Sequence, residues 1–162
     1  MGLLQVNNTI LQNVQFFNDT LVQHPGWANE GILFIIFTDC SSGMCGQDLD
    51  PNTVFLTNNL YVLDSGVTPT PDLLHQNFVQ SNNLVVIQDQ AAVDLGFTNA
   101  AGTKAPDFDL VSASSPAVDA GTAISGNELD YSDRTRPTRS APDIGAFEYG
   151  AAQSECMPPQ RP

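Results

Sequence analysis

Short apolar runs separated by polar turn residues form the main pattern of the chain. The runs are rich in β-branched and aromatic side chains and are bounded by Asn, Gly, Asp or Pro. No stretch of useful length repeats its apolar residues with the 3.6-residue period of an amphipathic helix. The pattern therefore predicts short β-strands joined by tight corners. The runs include 14–17, 31–37, 54–56 and 77–79.

A phrase of two asparagines followed by a β-prone run occurs three times. It begins at Asn7, Asn58 and Asn82, so its intervals are 51 and 24 residues. These intervals fit two turns and one turn of a solenoid with a coil of about 25 residues. In a parallel β-helix each coil lies on the last, so asparagines at a corner stack and their amides pair. We therefore expect the runs after the second and third phrases to pair in parallel, with Asn59 near Asn83, rather than an antiparallel sandwich with hairpin turns.

The composition agrees with a β protein that has many corners. The chain contains 13 Asn, 14 Asp, 12 Gly and 11 Pro, residues that favour turns, but a single Lys. After residue 93 the β-prone runs become rare, which indicates an irregular cap over the last coil. We predict an all-β fold, a parallel β-helix (solenoid) with an irregular C-terminal cap. Coils occupy residues 1–93, the closing cap 94–150 and a flexible tail 151–162.

The charge of the chain restricts its partners. The chain has a net charge of −13 and a pI near 4.1. Its negative surface repels phosphate backbones, so nucleic acid is a poor partner. No apolar run approaches the roughly 18 residues of a membrane-spanning helix. We therefore predict neither a nucleic-acid partner nor a membrane span.

The first residues have no basic stretch and no long apolar stretch, so they do not resemble a signal peptide. Leu3, Leu4, Val6 and Ile10 are expected to belong to a coil with nothing stacked before it. Such a coil exposes unpaired strand edges. We therefore expect it to be completed by missing N-terminal coils or by another copy of the chain.

Four segments in the last third of the chain carry a family resemblance. They are 107–110 (DFDL), 115–121 (SPAVDAG), 130–137 (DYSDRTRP) and 142–149 (PDIGAFEY). Together they resemble the C-terminal end of secreted bacterial right-handed parallel β-helix proteins of the pectate-lyase-like superfamily. In one departure, Arg134 follows Asp133 where the family has Gly. The resemblance implies a right-handed β-helix, a secreted or cell-surface location and a polysaccharide partner.

The resemblance also bears on catalysis. Polysaccharide lyases of this superfamily use a Lys or Arg base on central coils, beside acidic residues or Ca²⁺. This chain has no basic residue before Lys104, so its coils cannot supply that base. We expect the scaffold and cap of an extracellular protein that binds or degrades polysaccharide; a parent enzyme would be a polysaccharide lyase or glycoside hydrolase. The alternative is a non-enzymatic structural β-helix such as an adhesin, fibre or spike.

The few cations of the last third lie close in sequence to several aspartates. Arg can form two bonds to a carboxylate and so fix irregular backbone, whereas an active-site arginine would neutralise a uronate. We favour the structural interpretation, a cap held by Asp119, Asp130, Asp133, Asp143, Arg134, Arg136 and Arg139.

Two further segments offer candidate binding residues. Asp48, Asp50 and Asn52 have the alternating spacing of a calcium loop, although the Gly and the closing Glu of such loops are missing and a solvated turn is the alternative. Trp27 beside His24 could provide a sugar platform or seal the edge of a core.

The three cysteines leave their pairing open. Cys40 and Cys45 bracket a loop short enough for a disulfide, and Cys156 makes the number odd. A zinc site would need further ligands at a matching spacing.

Overall fold

The computed structural model describes residues 14–23, 54–63, 78–87 and 95–150. The chain divides into two compact units, the strand unit (1–93) and the C-terminal unit (94–162). Among the described residues no helix is long and apolar enough to cross a membrane. The elements are β1 (Val14–Phe17), β2 (Thr20–Val22), β3 (Val54–Thr57), β4 (Leu60–Leu63), β5 (Phe78–Ser81), β6 (Leu84–Ile87) and a 3₁₀ helix (Ala105–Phe108).

The six strands form two parallel sheets with the same pattern of pairing. One sheet has the order β1-β3-β5 and the other the order β2-β4-β6. Tyr61 in β4 pairs with Leu21 on one side and with Val85 on the other, so apolar side chains continue from strand to strand. The predicted parallel pairing of the run at Leu60 with the run at Leu84 is confirmed. All pairings between the described strands are parallel, which argues against an antiparallel sandwich.

Two-residue corners join the strands of one sheet to those of the other. The first residue of each corner has a positive φ of 50 to 56°, in the left-handed region. Asn enters this region more readily than most L-residues because its short polar side chain can form local hydrogen bonds. The corners are Asn18-Asp19, Asn58-Asn59 and Asn82-Asn83.

Hydrogen bonds between corners form what we call the asparagine ladder. Asn83 Oδ1 accepts the backbone N–H of Asn59 at 2.9 Å and its Nδ2 at 3.1 Å. Asn59 Oδ1 in turn accepts the backbone N–H of Asp19 at 3.0 Å. The two Nδ2 groups also donate to carbonyls of the neighbouring strand, those of Phe16 and Leu56. The predicted proximity of Asn59 to Asn83 is confirmed.

The interval between corners is not uniform. Asp19 and Asn59 are 40 residues apart, whereas Asn59 and Asn83 are 24 apart. The expected repeat of about 25 residues is therefore wrong for the first step, because β1 pairs directly with β3. The phrase at Asn7, the expected open coil at the start of the chain and the three cysteines lie outside the described residues.

The buried side chains of the strand unit concentrate in the middle strands. All four residues of β4 are buried, and Leu56 and Leu63 are completely inaccessible to solvent. Full burial of one large aliphatic side chain contributes about 1.5–3 kcal/mol. Asn58 and Asn59 are equally inaccessible, so the corner belongs to the interior of this unit.

The described part of the C-terminal unit is irregular. It contains the 3₁₀ helix and two isolated antiparallel bridges, Phe97 to Leu110 and Leu129 to Thr135. Asp107 Oδ2 accepts the backbone N–H groups of Thr103 and Lys104, so a side chain fixes the start of the helix. In the described part of this unit, turn-type backbone hydrogen bonds and side-chain-to-backbone bonds therefore replace regular strand pairing.

Candidate functional site

Six charged side chains lie in the interior of the C-terminal unit, and we call them the buried charge cluster. Each of them is at most 7% exposed. Buried charges are tolerated when they are paired and hydrogen-bonded, so the partners of each group determine what the cluster can do. The members are Asp109, Asp130, Asp143, Glu148, Arg134 and Arg136.

Arg134 connects two carboxylates that are far apart in sequence. Its Nη2 and Nη1 donate to the two oxygens of Asp109 at 2.7 and 3.2 Å. Its Nε donates to Asp130 Oδ2 at 2.6 Å. The planar guanidinium thus uses a two-pronged contact on one side and a single bond on the other, which a lysine could not reproduce.

Asp130 organises the turn that contains Arg134. Its Oδ1 accepts the backbone N–H groups of Ser132 and Arg134, both at 2.8 Å. Its Oδ2 accepts the backbone N–H of Glu148 at 2.8 Å. One carboxylate therefore closes a local turn and ties it to a segment 18 residues further along the chain.

Arg136 and Glu148 form the second ion pair of the cluster. Arg136 Nη1 donates to Glu148 Oε1 at 2.8 Å, and its Nη2 donates to the carbonyl of Gly145. Glu148 also accepts the backbone N–H groups of Thr138 and Asp143. Both side chains therefore bind backbone as well as each other.

Asp143 and Asp119 continue the same type of bonding toward the surface. Asp143 accepts the backbone N–H groups of Asp119, at 2.7 Å, and Tyr149. Asp119 is partly exposed and accepts the backbone N–H groups of Ser140 and Ala141. These bonds, first among them that from Ala141, hold the pKa of Asp119 below its usual value. Arg139 lies 3.5 Å from Asp119 on this exposed side.

Burial sets the electrostatics of the interior groups. It raises the pKa of Asp143 and Glu148 and lowers that of Arg136. Burial also opposes the charge on Arg134, but the hydrogen bonds to its two carboxylate partners outweigh it and raise its pKa. The cluster has four carboxyls and two guanidinium groups, so backbone N–H groups supply the remaining stabilisation of negative charge.

Asp133 contributes to the turn through its backbone conformation. Its φ is 60°, and its backbone N–H donates to the carbonyl of Asp130. The left-handed conformation thus falls on Asp133, one position before Arg134. The turn at 130–134 closes with Arg134 directed inward.

The arrangement supports a structural role better than proton transfer. Asp130, Asp143 and Glu148 each accept at least two backbone N–H groups, and both buried arginines donate to carboxylates. A general acid or base needs access to a substrate, which these side chains lack. Among the described residues, no group of three or more His, Cys, Asp or Glu is arranged to hold a metal ion.

The structure brings together six of the seven cap residues expected from the sequence, in one connected network: Asp119, Asp130, Arg134, Arg136, Arg139 and Asp143. Asp133, the seventh, lies in the turn beside Asp130. Lys104 is exposed at the start of the 3₁₀ helix. The other candidates lie outside the described residues: Trp27, His24, Asp48, Asp50 and Asn52.

Sequence reasoning missed two members of the cluster as charge partners. Asp109 is 25 residues from Arg134, and Glu148 is 12 residues from Arg136. Asp109 lies in the segment DFDL and Glu148 in the segment PDIGAFEY. Because the chain has few cations, carboxylates in these segments are natural candidates to share the arginines.

No family model and no curated protein matches the chain, so the function below is argued from the residues and their geometry.

Proposed function

We propose that this chain is the C-terminal scaffold and closing cap of an extracellular right-handed parallel β-helix protein that binds or degrades polysaccharide. The observation that carries the proposal is the asparagine ladder, which links successive corners of two parallel sheets. In this proposal the chain itself lacks a complete catalytic set.

The repetition of the same unit supports the β-helix. Each strand-corner-strand segment lies on the next, with β1, β3 and β5 in one sheet and β2, β4 and β6 in the other. In a solenoid, each coil of the chain stacks on the one before it in the same register. Right-handed crossovers are the strong preference for parallel strands, in agreement with the resemblance in the C-terminal segments.

The bonding of the C-terminal unit supports its role as a cap. Its buried charge cluster fixes irregular backbone through carboxylates that accept N–H groups. An irregular segment of this kind covers the end of a solenoid without offering a strand edge to other chains. Arg134 and Arg136 are both committed to buried carboxylates, which argues against either as a catalytic base.

A non-enzymatic structural β-helix is the second candidate. The continuous parallel pairing of the strands favours it, because a rod needs stacked coils rather than a binding groove. In that case the chain would belong to an adhesin, fibre or spike, with the β-helix as a rigid rod.

Binding and turnover by the full 162-residue chain separate the two candidates. Affinity electrophoresis through gels containing neutral or acidic polysaccharides is expected to retard the chain in at least one gel. Incubation with the same polysaccharides is expected to give no reducing ends and no unsaturated products.

Absence of retardation in every gel would favour the structural rod. Product formation that is lost in Lys104→Ala would contradict the claim that the chain lacks a catalytic set.

A further inference from the structure

The loop at residues 128–136 has an inverted distribution of side chains. Its ends are joined by the antiparallel bridge between Leu129 and Thr135. The charged residues Asp130, Arg134 and Arg136 are directed inward, whereas Leu129 is 52% exposed and Tyr131 is 66% exposed. Large exposed apolar side chains grouped on one face commonly mark a binding site. We call Leu129, Tyr131, Asp133 and Thr135 the outer face of this loop.

The position of the Tyr131 ring is fixed from behind. Its backbone N–H donates to the carbonyl of Ala146 at 2.8 Å. Its ring packs edge to face on Phe147, with centroids 5.4 Å apart. Phe147 is buried and has the guanidinium of Arg134 over its ring at 5.8 Å. A ring held this way loses little conformational entropy when a ligand stacks on it.

The size of the outer face points to a small ligand unit. Leu129 and Tyr131 together offer on the order of 200–300 Å² of exposed side chain. A stable protein interface needs about 800 Å² from each partner. The flat ring instead matches the apolar face of one or two sugar rings, which aromatic residues contact readily.

The charges around the ring select the class of sugar. Asp133 and Thr135 are exposed on the outer face, and their oxygens are suited to hydrogen bonds with sugar hydroxyls. Glu128 is also exposed, whereas the two arginines of the loop are buried against carboxylates. The surface of the loop is therefore negative, and a uronate or sulfated chain would be repelled.

We propose that the outer face of the 128–136 loop is a binding site for uncharged polysaccharide, with Tyr131 as the stacking platform. This inference rests on the proposed function, since it names a site and a sugar class for the same polysaccharide partner. It assigns recognition to the C-terminal unit in addition to its role as a cap.

Affinity electrophoresis with three variants of the full chain tests the site. The probes are soluble mixed-linkage β-glucan and galactomannan as neutral polymers and polygalacturonate as the acidic one. Wild type is expected to be retarded by a neutral polymer and not by polygalacturonate. Tyr131→Ala should bind about tenfold more weakly, because it loses the stacked ring. Tyr131→Phe should retain binding. Val111→Ala, which shortens another exposed apolar side chain of the unit, should behave as wild type.

The outcomes separate this site from the proposed function. Binding of a neutral polymer that is unchanged in Tyr131→Ala would overturn the site and leave the proposed polysaccharide binding intact. Retardation by polygalacturonate alone would overturn the sugar class. Absence of all retardation would overturn both. Sedimentation that reveals a dimer lost in Tyr131→Ala, with no retardation by any polymer, would identify the outer face as a protein interface and overturn the proposal. Circular dichroism of each variant checks that it is folded.

Discussion

The substitution Asn59→Asp tests whether the asparagine ladder stabilises the strand unit. The two side chains have nearly the same shape, so the change replaces the Nδ2 donor with an oxygen and leaves the volume unchanged. In the structure Nδ2 donates to the carbonyl of Phe16 at 3.0 Å and to Asn83 Oδ1 at 3.1 Å. In the variant each of these acceptors faces another acceptor at a fully buried position.

The expected cost follows from the two lost bonds. Each hydrogen bond contributes about 1 kcal/mol net, and the carboxylate oxygen introduced at this buried position has no donor, which costs about 1–3 kcal/mol more. We expect a loss of about 3–5 kcal/mol in the free energy of unfolding at neutral pH, a large part of the roughly 5–15 kcal/mol of a typical domain.

The penalty should decrease in acid. Burial raises the pKa of a carboxyl, and its protonated form can donate to one of the two acceptors. Because the folded-state pKa of the introduced group is raised, its favourable contribution is present at low pH and lost as the pH rises through that value.

Urea denaturation followed by circular dichroism measures the effect across pH. Asp19→Asn is the matched control, since it makes the reverse change at the equivalent corner position, where the side chain is exposed. We expect this control to change stability by less than about 0.5 kcal/mol. A neutral-pH loss below about 1 kcal/mol for Asn59→Asp, or equal losses for both variants, would refute a stabilising ladder.

Three further substitutions test the corners and the C-terminal unit. Arg134→Lys should lower the free energy of unfolding by about 3 kcal/mol, because lysine cannot bind both carboxylates. The control Arg139→Lys, on the exposed side, should lower it by less than about 0.5 kcal/mol. Equal midpoints of urea denaturation for the two variants would contradict this. Asn82→Ala should lose about 1 kcal/mol more than Asn82→Gly, since the φ of 50° favours glycine over alanine, and thermal melting of the pair measures that difference. The pKa of Asp119 is lowered in the folded state, so its contribution to stability is present above the unfolded-state pKa and is lost as the pH falls through the folded-state pKa. In acid denaturation, the stability of Asp119→Asn should therefore approach that of wild type at low pH. A stability difference that stays constant with pH would argue against this.

The sequence predicted the part of the strand unit in which the asparagine phrase repeats without change. Asn58-Asn59 and Asn82-Asn83 are identical in type and 24 residues apart, so their stacking could be inferred. The corner at Asn18 does not follow the pattern of paired asparagines, because its second residue is Asp19. Its backbone needs only the left-handed conformation at Asn18, which does not require an amide at the next position.

The charge cluster was predictable only where its members are neighbours in sequence. Asp130 and Arg134 lie four residues apart, and their contact follows from a closed turn. The contact of Arg134 with Asp109 spans 25 residues of irregular chain. Irregular backbone has no period that relates distant positions, so such a pair cannot be read from spacing. The β-prone runs at Leu60 and Leu84, in contrast, each follow an asparagine phrase, and the 24-residue interval between the phrases predicts that these runs pair.

The unequal intervals between corners have a practical consequence for engineering. The first interval exceeds the second by 16 residues, yet β1 on β3 and β3 on β5 keep full register. Register is thus imposed at the corners, and the length of chain between β2 and β3 does not disturb it. A peptide of comparable size inserted between β4 and β5 should be carried without loss of pairing. The fold thus lends itself to peptide display, because the corners set the register of the strands and an inserted peptide would lie outside them.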